Sequence, residues 1–582
     1  MRYLRMLTNA IAAGALAATY VTVLLLQLNP QVPAASAETA AWFRVMLTFY
    51  GLHLSLAIFV LLIARDLVAA RALAPAWISV RLLAWMAALL AGAAAAGSWL
   101  NLRGFRAVLS EPAARAMAEG ASALTAAALL LLAVAIARYS FARRGGRTAA
   151  AVLVLIIAAS VAAPIVVRAS LVDSPPAVAG RRPAAVGAPS GRGTLRMVLL
   201  DGASLGFIRE RVGLGRLPNF ARLLERGATF DLATLKPTQP EPVWAAAATG
   251  KYPPSNGVRS SARYRAGRAP ARVDILPDYC FAHALVHLGY VEAEPVESAD
   301  LTARPLWEVL SALDVRAGIV RWPVSFPVSP TEGFLISDRF HLITSSPLRT
   351  DHARAAWPPA AADATGAVFD ASLFNPWPEV LPAALPADAP AGGVTPVRWD
   401  RIYAEAGRAL DEAAPVRVWA VRYQGLDTVA HTFLRYADPH LFGGATPAET
   451  AQFGAVLDRY YGFIDAEIGR ELARLEAGDL LLVVSGFGME PVTLPKRALA
   501  RVLGEPDLSG THERAPDGFL LAYGSDVAAG ALPRGSIVDL APTALYFLGL
   551  PVARDMDGYA RTDLFTNAFT SARPVTYIRS YE

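Results

Sequence analysis

The sequence predicts an α/β domain with a doubly wound parallel sheet and helices on both faces, preceded by a bundle of about five transmembrane helices. Two observations lead to this prediction. Up to about Arg168 charges are sparse and apolar runs are long, whereas beyond it short apolar strands alternate with amphipathic helices. Such alternation indicates a sheet that is covered by helices on both faces. At 582 residues the chain is also too long for a single core.

Apolar stretches long enough to cross a bilayer recur in the N-terminal part, since a span requires about 20 mostly apolar residues. They lie near 7–28, 43–64, 82–100, 122–138 and 148–168. Buried helices of a soluble protein are the alternative, but such helices carry a polar face at helical spacing. The run over 128–137 contains no polar residue, so the pattern favours membrane spans and contact with a lipid bilayer.

The distribution of arginine predicts the orientation of these spans, because cytoplasmic loops carry an excess of Lys and Arg. Arginines precede the first span and lie between spans two and three and between spans four and five, whereas 29–42 contains no Lys or Arg. The loop 101–121, with its own arginines, departs from this bias. We expect the C-terminal domain to be periplasmic or extracellular. If the first segment is instead a signal peptide cleaved near Val32–Ala37, the large domain still lies outside.

Composition and charge exclude some classes of protein. The net charge of +5 is small for this length, and no arginine cluster interleaves with aromatic residues, so nucleic-acid binding is not expected. The single cysteine, Cys280, excludes an internal disulfide framework. A tract rich in Pro, Gly and Ala over 171–193 predicts a semi-stiff linker. We therefore expect a transmembrane domain over 1–170 and a separate domain over 194–582.

Polar segments follow several predicted strands of the second domain. These strands cover 195–200, 315–320, 416–421 and 480–484. Asp201 follows the first of them, Gln424–His431 follows the third and Ser485 follows the last. The carboxyl ends of strands form the ligand-binding edge of a doubly wound sheet. The sequence thus predicts one composite site at that edge.

Three residues in these segments have the pattern of metal ligands. Asp427 and His431 are four residues apart, so they point the same way on a helix, and His512 follows in the run Gly-Thr-His-Glu. One carboxylate oxygen and two imidazole nitrogens form the three-ligand set of an open, catalytic zinc site. The alternative is a pair on a helix face in which Asp427 and His431 bond to each other.

A series of motifs over about 195–565 resembles the alkaline phosphatase superfamily, in particular its type I phosphodiesterase/nucleotide pyrophosphatase branch. The motifs are Asp201-Gly202-Ala-Ser, Leu217-Pro-Asn-Phe220, Trp244 with Thr249-Gly-Lys-Tyr-Pro253, Trp322-Pro323, Asp427-x-x-x-His431, Gly510-Thr-His512, Asp517-Gly518, Ala541-Pro-Thr543 and Asp557-Gly558. The resemblance implies an alkaline-phosphatase-like fold and metal-dependent hydrolysis or transfer of phosphate esters.

The resemblance also implies two zinc ions, of which one retains its ligands here. Asp427, His431 and His512 correspond to the ligands of one ion, and Asp201 to a ligand of the other. The Asp-His pair that completes the second site corresponds to Gly486 and Phe487, which cannot bind a metal. The sequence therefore predicts one zinc ion and leaves Asp201 as a remnant of the second site. The alternative is that Asp201 caps the next helix.

The nucleophile is a second departure from the family pattern. The resemblance places a Ser or Thr nucleophile nine residues before Thr249, where this chain has Pro240. Proline offers neither a nucleophile nor a side-chain donor. Thr238, two residues earlier, is the displaced candidate, because a nucleophile must lie within reach of the metal or its base.

Two functions from different classes remain. The leading hypothesis is a membrane-anchored, outward-facing phosphoesterase that acts through one zinc ion on a lipid-linked, glycan or nucleotide substrate. The alternative is a catalytically inactive pseudoenzyme that serves as a ligand-binding or assembly module at the membrane. We also expect 341–399 to form either an insertion over the site that shapes substrate choice or a long surface loop.

Overall fold

The computed structural model describes residues 1–69, 76–137, 147–171, 193–267, 272–277, 282–344, 352–372, 395–439, 445–502, 508–512 and 516–582. The chain divides into two units, one formed by Met1–Pro176 with Ala262–Pro295 and the other by Ala177–Ser261 with Val296–Glu582. The linker predicted over 171–193 falls almost entirely outside the described residues. The predicted domain limits therefore stay predictions.

The first unit contains, in its described part, five helical segments that are long and apolar enough to cross a membrane. They are Arg2–Leu28, Ala37–Val68, Val80–Gly104, Glu111–Ala135 and Ala150–Arg168. The second segment is composite, with a π-helical turn over Leu47–Gly51. Ser36, Ser79 and Ser110 cap three of the helices, because each hydroxyl accepts a backbone N–H of the first turn. The predicted bundle of apolar helices is confirmed.

A pair of antiparallel strands, Ala262–Ala266 and Val291–Pro295, belongs to the same unit as these helices. Asn29, at the end of the first helix, donates its side-chain amide to the carbonyl of Ile275 at 2.8 Å. Its Oδ1 accepts the backbone N–H groups of Asp274 and Ile275. A short helix, Ala282–His287, precedes the second strand of this pair.

The second unit is organised around a mixed sheet of ten strands within the described residues. In spatial order they are Gly530–Ala531, Ala228–Ala233, Asp517–Gly524, Leu480–Phe487, Leu195–Leu200, Val418–Tyr423, Ala317–Val320, Gly333–Ile336 and Ala356–Trp357, with Gly535–Ser536 also paired to Ala228–Ala233. The strands from Leu480–Phe487 to Gly333–Ile336 are parallel. Asp517–Gly524 is antiparallel to both of its neighbours. The α/β prediction is confirmed, but the sheet is mixed rather than wholly parallel, as large α/β sheets often are.

Helices cover both faces of this sheet, as predicted. Alternate residues of Leu195–Leu200 face opposite sides: Val198 and Leu200 join one buried apolar cluster, and Met197 and Leu199 join another. The helices of this unit are Leu205–Gly213, Pro218–Arg226, Pro240–Thr249, Pro253–Asn256, Leu306–Ala312, Phe340–Thr344, His352–Ala355, Pro359–Ser372, Thr395–Ala413, Gly425–Ala437, Pro447–Phe453, Val456–Ala473, Leu494–Val502, Leu540–Phe547 and Asn567–Ala572.

Smaller elements complete the unit. Glu490–Pro491 pairs with Gly510–Thr511, and Val552–Ala553 pairs with Tyr577–Ile578. Part of the segment predicted as an insertion, 341–399, joins the main sheet, because Ala356–Trp357 pairs with Gly333–Ile336. Residues 345–351 and 373–394 of that segment lie outside the described residues, and its role over the site stays a prediction.

Candidate metal centre

The predicted site residues follow strands that end at the same edge of the sheet. In the parallel register, Leu200 lies beside Tyr423 on one side and beside Ser485 on the other. Asp201 and Gln424 follow directly after these positions. The sheet therefore brings the ends of the two predicted motifs together although they are more than 200 residues apart in the chain.

The helix Gly425–Ala437, which carries Asp427 and His431, begins immediately after its strand. Its first turn is held by Asp400, whose Oδ2 accepts the N–H of Gly425 at 2.8 Å and whose Oδ1 accepts the N–H of Gln424 at 3.2 Å. Asp400 also accepts hydrogen bonds from Arg321 and from the hydroxyl of Tyr460. These contacts satisfy N–H groups that a helix start leaves unpaired, and they fix the direction in which the helix leaves the sheet.

Asp427, His431 and His512 converge as predicted. Their candidate ligand atoms all lie within 4.8 Å of one another. His431 Nε2 is 3.5 Å from Asp427 Oδ2, and His512 Nε2 is 3.8 Å from Asp427 Oδ1. Among the described residues, this is a group that could hold a metal ion.

The surroundings of these three side chains fit a metal ion. His431 Nδ1–H donates to the carbonyl of Gly510 at 2.7 Å, and His512 Nδ1–H donates to the carbonyl of Thr238 at 3.0 Å. Both imidazoles are thus held through Nδ1 with Nε2 directed at Asp427, and a backbone carbonyl on the other ring nitrogen is the arrangement found around metal-bound histidines. Asp427 Oδ1 is buried and has no hydrogen-bond partner among the described residues. A buried oxygen without a partner is costly unless it binds an ion or water.

The protonation of the group follows from its close contacts. Burial by itself would raise the pKa of Asp427, but the hydrogen bond and charge of His431, with the charge of His512, hold it below its usual value. For His431, burial lowers the pKa, and the hydrogen bond and charge of Asp427 outweigh that effect and raise it. Asp427 is therefore ionised and ready to bind a cation, while His431 must lose any proton before its Nε2 can bind metal.

Asp201 lies outside this group and is bound by other side chains. Arg422 Nε donates to both of its carboxylate oxygens at 3.1 Å, and Arg422 Nη2 donates to Oδ2. Trp244 Nε1 donates to Oδ1 at 2.6 Å. The alternative that Asp201 caps the next helix is wrong, because Ser204 caps Leu205–Gly213 by accepting the N–H of Phe207.

Gly486 and Phe487, which stand where the resemblance implies an Asp-His pair, are packed into the core. A Cβ added to Gly486 would lie 2.7 Å from Val243 and 3.3 Å from Trp244. Phe487 is fully buried, and its ring centre is 5.0 Å from that of His512. This segment therefore supports one wall of the metal group and offers no side-chain ligand to it.

Thr238 adjoins the metal group through its backbone rather than its side chain. Its carbonyl accepts the hydrogen bond from His512 described above. Its hydroxyl is buried and donates to the carbonyl of Leu235 at 2.7 Å. A role for Thr238 as a nucleophile stays a prediction.

Gly202 is required by the close approach of two chain segments beside Asp427. Its φ of +69° lies in the region that favours glycine, and a Cβ there would lie 3.0 Å from Asp427 Oδ1. The first motif of the sequence, Asp201-Gly202, thus includes a residue whose lack of a side chain leaves room for the metal ligand.

A cavity of about 530 Å³ lies beside Gly202, which contacts Asp427, and its lining residues do not include Asp427, His431 or His512. Gly202, Ala430 and Met489 line the part that is close to Asp427, and Phe207, Leu434 and Tyr461 are among its other lining residues. Its wall is mixed in character, with Glu210 and Arg211 also contributing. This is enough space for a substantial organic group on the Gly202 side of the candidate metal ligands.

Two residues of the site, Arg422 and Asp400, were not identified from the sequence. Arg422 carried a signal, because a single charged residue interrupts the apolar strand Val418–Tyr423. Its partner could not be deduced, since Asp201 directly follows a neighbouring strand and is 221 residues away in the chain. Asp400 lies inside a helix rich in charged residues, and nothing in its local sequence distinguishes it from charged residues that face solvent.

Comparison with known proteins agrees with the geometry of the site. No curated protein matches the chain. The family model for type I phosphodiesterase/nucleotide pyrophosphatase matches residues 195–537. This match includes the sheet strands that position the site and all three candidate metal ligands. With more than half of its length matched, the chain belongs to the type I phosphodiesterase/nucleotide pyrophosphatase family.

Proposed function

We propose that this protein is a membrane-anchored phosphoesterase that hydrolyses or transfers a phosphate ester with the help of one zinc ion held by Asp427, His431 and His512. The observation that supports it most is the convergence of these side chains, with both Nδ1 atoms bound to backbone carbonyls and with Asp427 Oδ1 lacking a hydrogen-bond partner within the described part of the chain. A zinc ion in such a site supplies Lewis acidity and lowers the pKa of water.

The roles of the protein side chains follow from their contacts. The carbonyls of Gly510 and Thr238 keep the two imidazoles in the orientation that binds metal. Phe487 excludes water from one side of His512. The cavity lined by Phe207 and Leu434 gives the organic part of the ester a place beside the phosphate. A lipid-linked, glycan or nucleotide ester would fit this arrangement.

Thr238 remains the proposed nucleophile if the reaction passes through a covalent intermediate. Its hydroxyl would have to leave the carbonyl of Leu235 before it could attack. Direct attack by water needs no such rearrangement. The two routes are separated by Thr238→Ala, which removes the hydroxyl and leaves the backbone carbonyl that holds His512.

The test uses the full-length protein in detergent micelles. Zinc content is measured by mass spectrometry, and hydrolysis of bis-p-nitrophenyl phosphate is followed by absorbance. We expect zinc and turnover in the wild type and the loss of both in His431→Ala. His287→Ala, which changes an exposed histidine elsewhere, is the matched control and should retain both. Turnover that survives His431→Ala would refute the proposed site.

The location of the second unit is part of this proposal. The arginine distribution supports an inside N-terminus and a periplasmic or extracellular C-terminal unit. Protease added to sealed right-side-out vesicles should then digest the C-terminal unit while the apolar helices stay protected. Digestion that requires opening the vesicles would reverse the orientation.

A pseudoenzyme is the second candidate, and specific observations favour it. Pro240 stands at the expected nucleophile position, and the carboxylate of Asp201 is paired with the guanidinium of Arg422. In that case the metal group and the cavity would hold a phosphate-containing ligand or a partner at the membrane without turning it over. Zinc in the wild type, with no hydrolysis of any phosphate ester class, would favour this candidate.

A further inference from the structure

The Asp201 carboxylate is saturated by donors from the protein. A carboxylate offers about four lone-pair sites. Trp244 Nε1 and Arg422 Nε contact Oδ1, and Arg422 Nε and Nη2 contact Oδ2. Both side chains of the ion pair are buried, with exposures of 3% for Arg422 and 0% for Asp201. A metal ion could reach Asp201 only by displacing the guanidinium.

Arg422 keeps its charge in this position. Burial alone would lower the pKa of Arg422, but the charge and hydrogen bonds of Asp201 outweigh burial and hold the pKa above its usual value. The planar guanidinium also presents several N–H groups in a fixed fork, which suits a carboxylate better than an ammonium does. The interior therefore contains a permanent positive charge at the carboxyl edge of the sheet, on the strand Val418–Tyr423 that leads to Asp427.

Further acidic groups face the same guanidinium. The charges of Glu241 and Asp338 interact with Arg422, in addition to that of Asp201. Glu241 is held by the hydroxyl of Ser261. Without Arg422, the Asp201 carboxylate would lose its paired cation and Glu241 and Asp338 a neighbouring positive charge, and carboxylate oxygens are the ligands that a hard divalent cation favours.

We propose that Arg422 is a built-in substitute for a second metal ion: its guanidinium neutralises Asp201 and keeps a divalent cation from binding there. The residues around Asp201 do not fit the second ion that the family resemblance implies, and the structure explains why. This inference deepens the proposed function and rests on it only for the identity of the neighbouring site.

The presence of Arg422 in place of a metal ion changes the chemistry that the Asp201 part of the site can support. A guanidinium supplies charge and N–H donors, but unlike a metal ion it cannot lower the pKa of bound water or activate a coordinated hydroxyl. The loss of a Ser or Thr at position 240 is consistent with this, because a hydroxyl there would have no ion to activate it. Arg422 is thus a positioning residue that holds charge near the candidate metal group.

The test measures zinc and manganese content of the full-length protein in detergent after dialysis from metal excess. His431→Ala removes the proposed first ion, so it serves as the background in which metal bound at Asp201 is counted. We expect no bound metal in His431→Ala, about one ion per chain in His431→Ala/Arg422→Ala, and none once Asp201→Asn is added. Arg422→Lys in the same background keeps a positive charge and should bind none.

Two outcomes would overturn the inference. One is a second metal ion in the wild type that Asp201→Asn removes, and this measurement does not depend on a variant that folds poorly. The other is a folded His431→Ala/Arg422→Ala protein, with a cooperative melting transition, that binds no metal. If instead the wild type lacks any ion that depends on His431, the proposed function fails while the Arg422 variants still report on Asp201.

Discussion

Asp400 gives the sharpest test of how the fold positions the helix Gly425–Ala437, called the metal helix because it carries Asp427 and His431. Its side chain is fully buried and pairs with Arg321, whose side chain is 2% exposed. It also accepts the hydroxyl of Tyr460 and the first two N–H groups of the segment that starts the metal helix. Asp400→Ala removes all of these acceptors at once and leaves a buried guanidinium without its carboxylate.

The expected loss of stability is large. Breaking a buried ion pair by removing one partner costs about 3–5 kcal/mol. The entropy of unfolding is roughly 2.1 cal/mol/K per residue, so for a unit of this size the melting temperature falls by about 4–6 °C. Because the start of the metal helix also loses its anchor, zinc affinity should fall by about 10- to 100-fold.

Glu412→Ala is the matched control for Asp400→Ala. Glu412 also pairs with an arginine, Arg474, but it is 67% exposed and the contact is 3.6 Å. An exposed pair contributes about 0–1 kcal/mol, so this variant should melt within about 1 °C of the wild type. Melting is followed by tryptophan fluorescence and zinc affinity by competition with a chromophoric chelator. Equal melting temperatures for the two variants would refute the role given to Asp400.

Further predictions concern the same site. Gly202→Ala should lower both stability and zinc affinity. The control Gly215→Ala, with a φ of +70° but open space around it, should cost only the backbone strain of about 1–2 kcal/mol. Equal zinc affinities for the two variants would contradict the close approach of Gly202 to Asp427. Thr238→Ala should keep hydrolysis of a phosphodiester within about threefold, because its hydroxyl is bound to Leu235, and a loss of about 100-fold or more would instead identify a nucleophile. Removing zinc with a chelator should destabilise the protein by about 2.7 kcal/mol relative to zinc at 100 times its Kd, and an unchanged melting temperature would argue against the metal site.

Much of the fold could be predicted because its signals are local. The strand Leu195–Leu200 is observed with the bounds predicted for it, since a short run in which Arg196 is the one charged residue, followed by a Gly-containing turn, is typical of a buried strand. The sequence pattern over about 450–476, which precedes the strand predicted at 480–484, predicts one helix. The structure has two helices there, Pro447–Phe453 and Val456–Ala473. Thr446 starts the first with a capping box, and Gly454 separates the two. The antiparallel strand Asp517–Gly524 could not be assigned, because strand direction depends on partners elsewhere in the chain.

The sequence by itself determined the apolar helices, the α/β class, the family and the identity of the candidate metal group, because each depends on residue type and short spacing. Asp427 and His431 share a helix face wherever that helix is placed. The tertiary structure decided the rest. The parallel register places Arg422 beside Asp201. Packing of helices and loops brings Asp400 to the start of the helix Gly425–Ala437 and the carbonyl of Thr238 to His512. These contacts join segments far apart in the chain, so no local pattern encodes them, and they decide which side chains pair with each other around the candidate metal group.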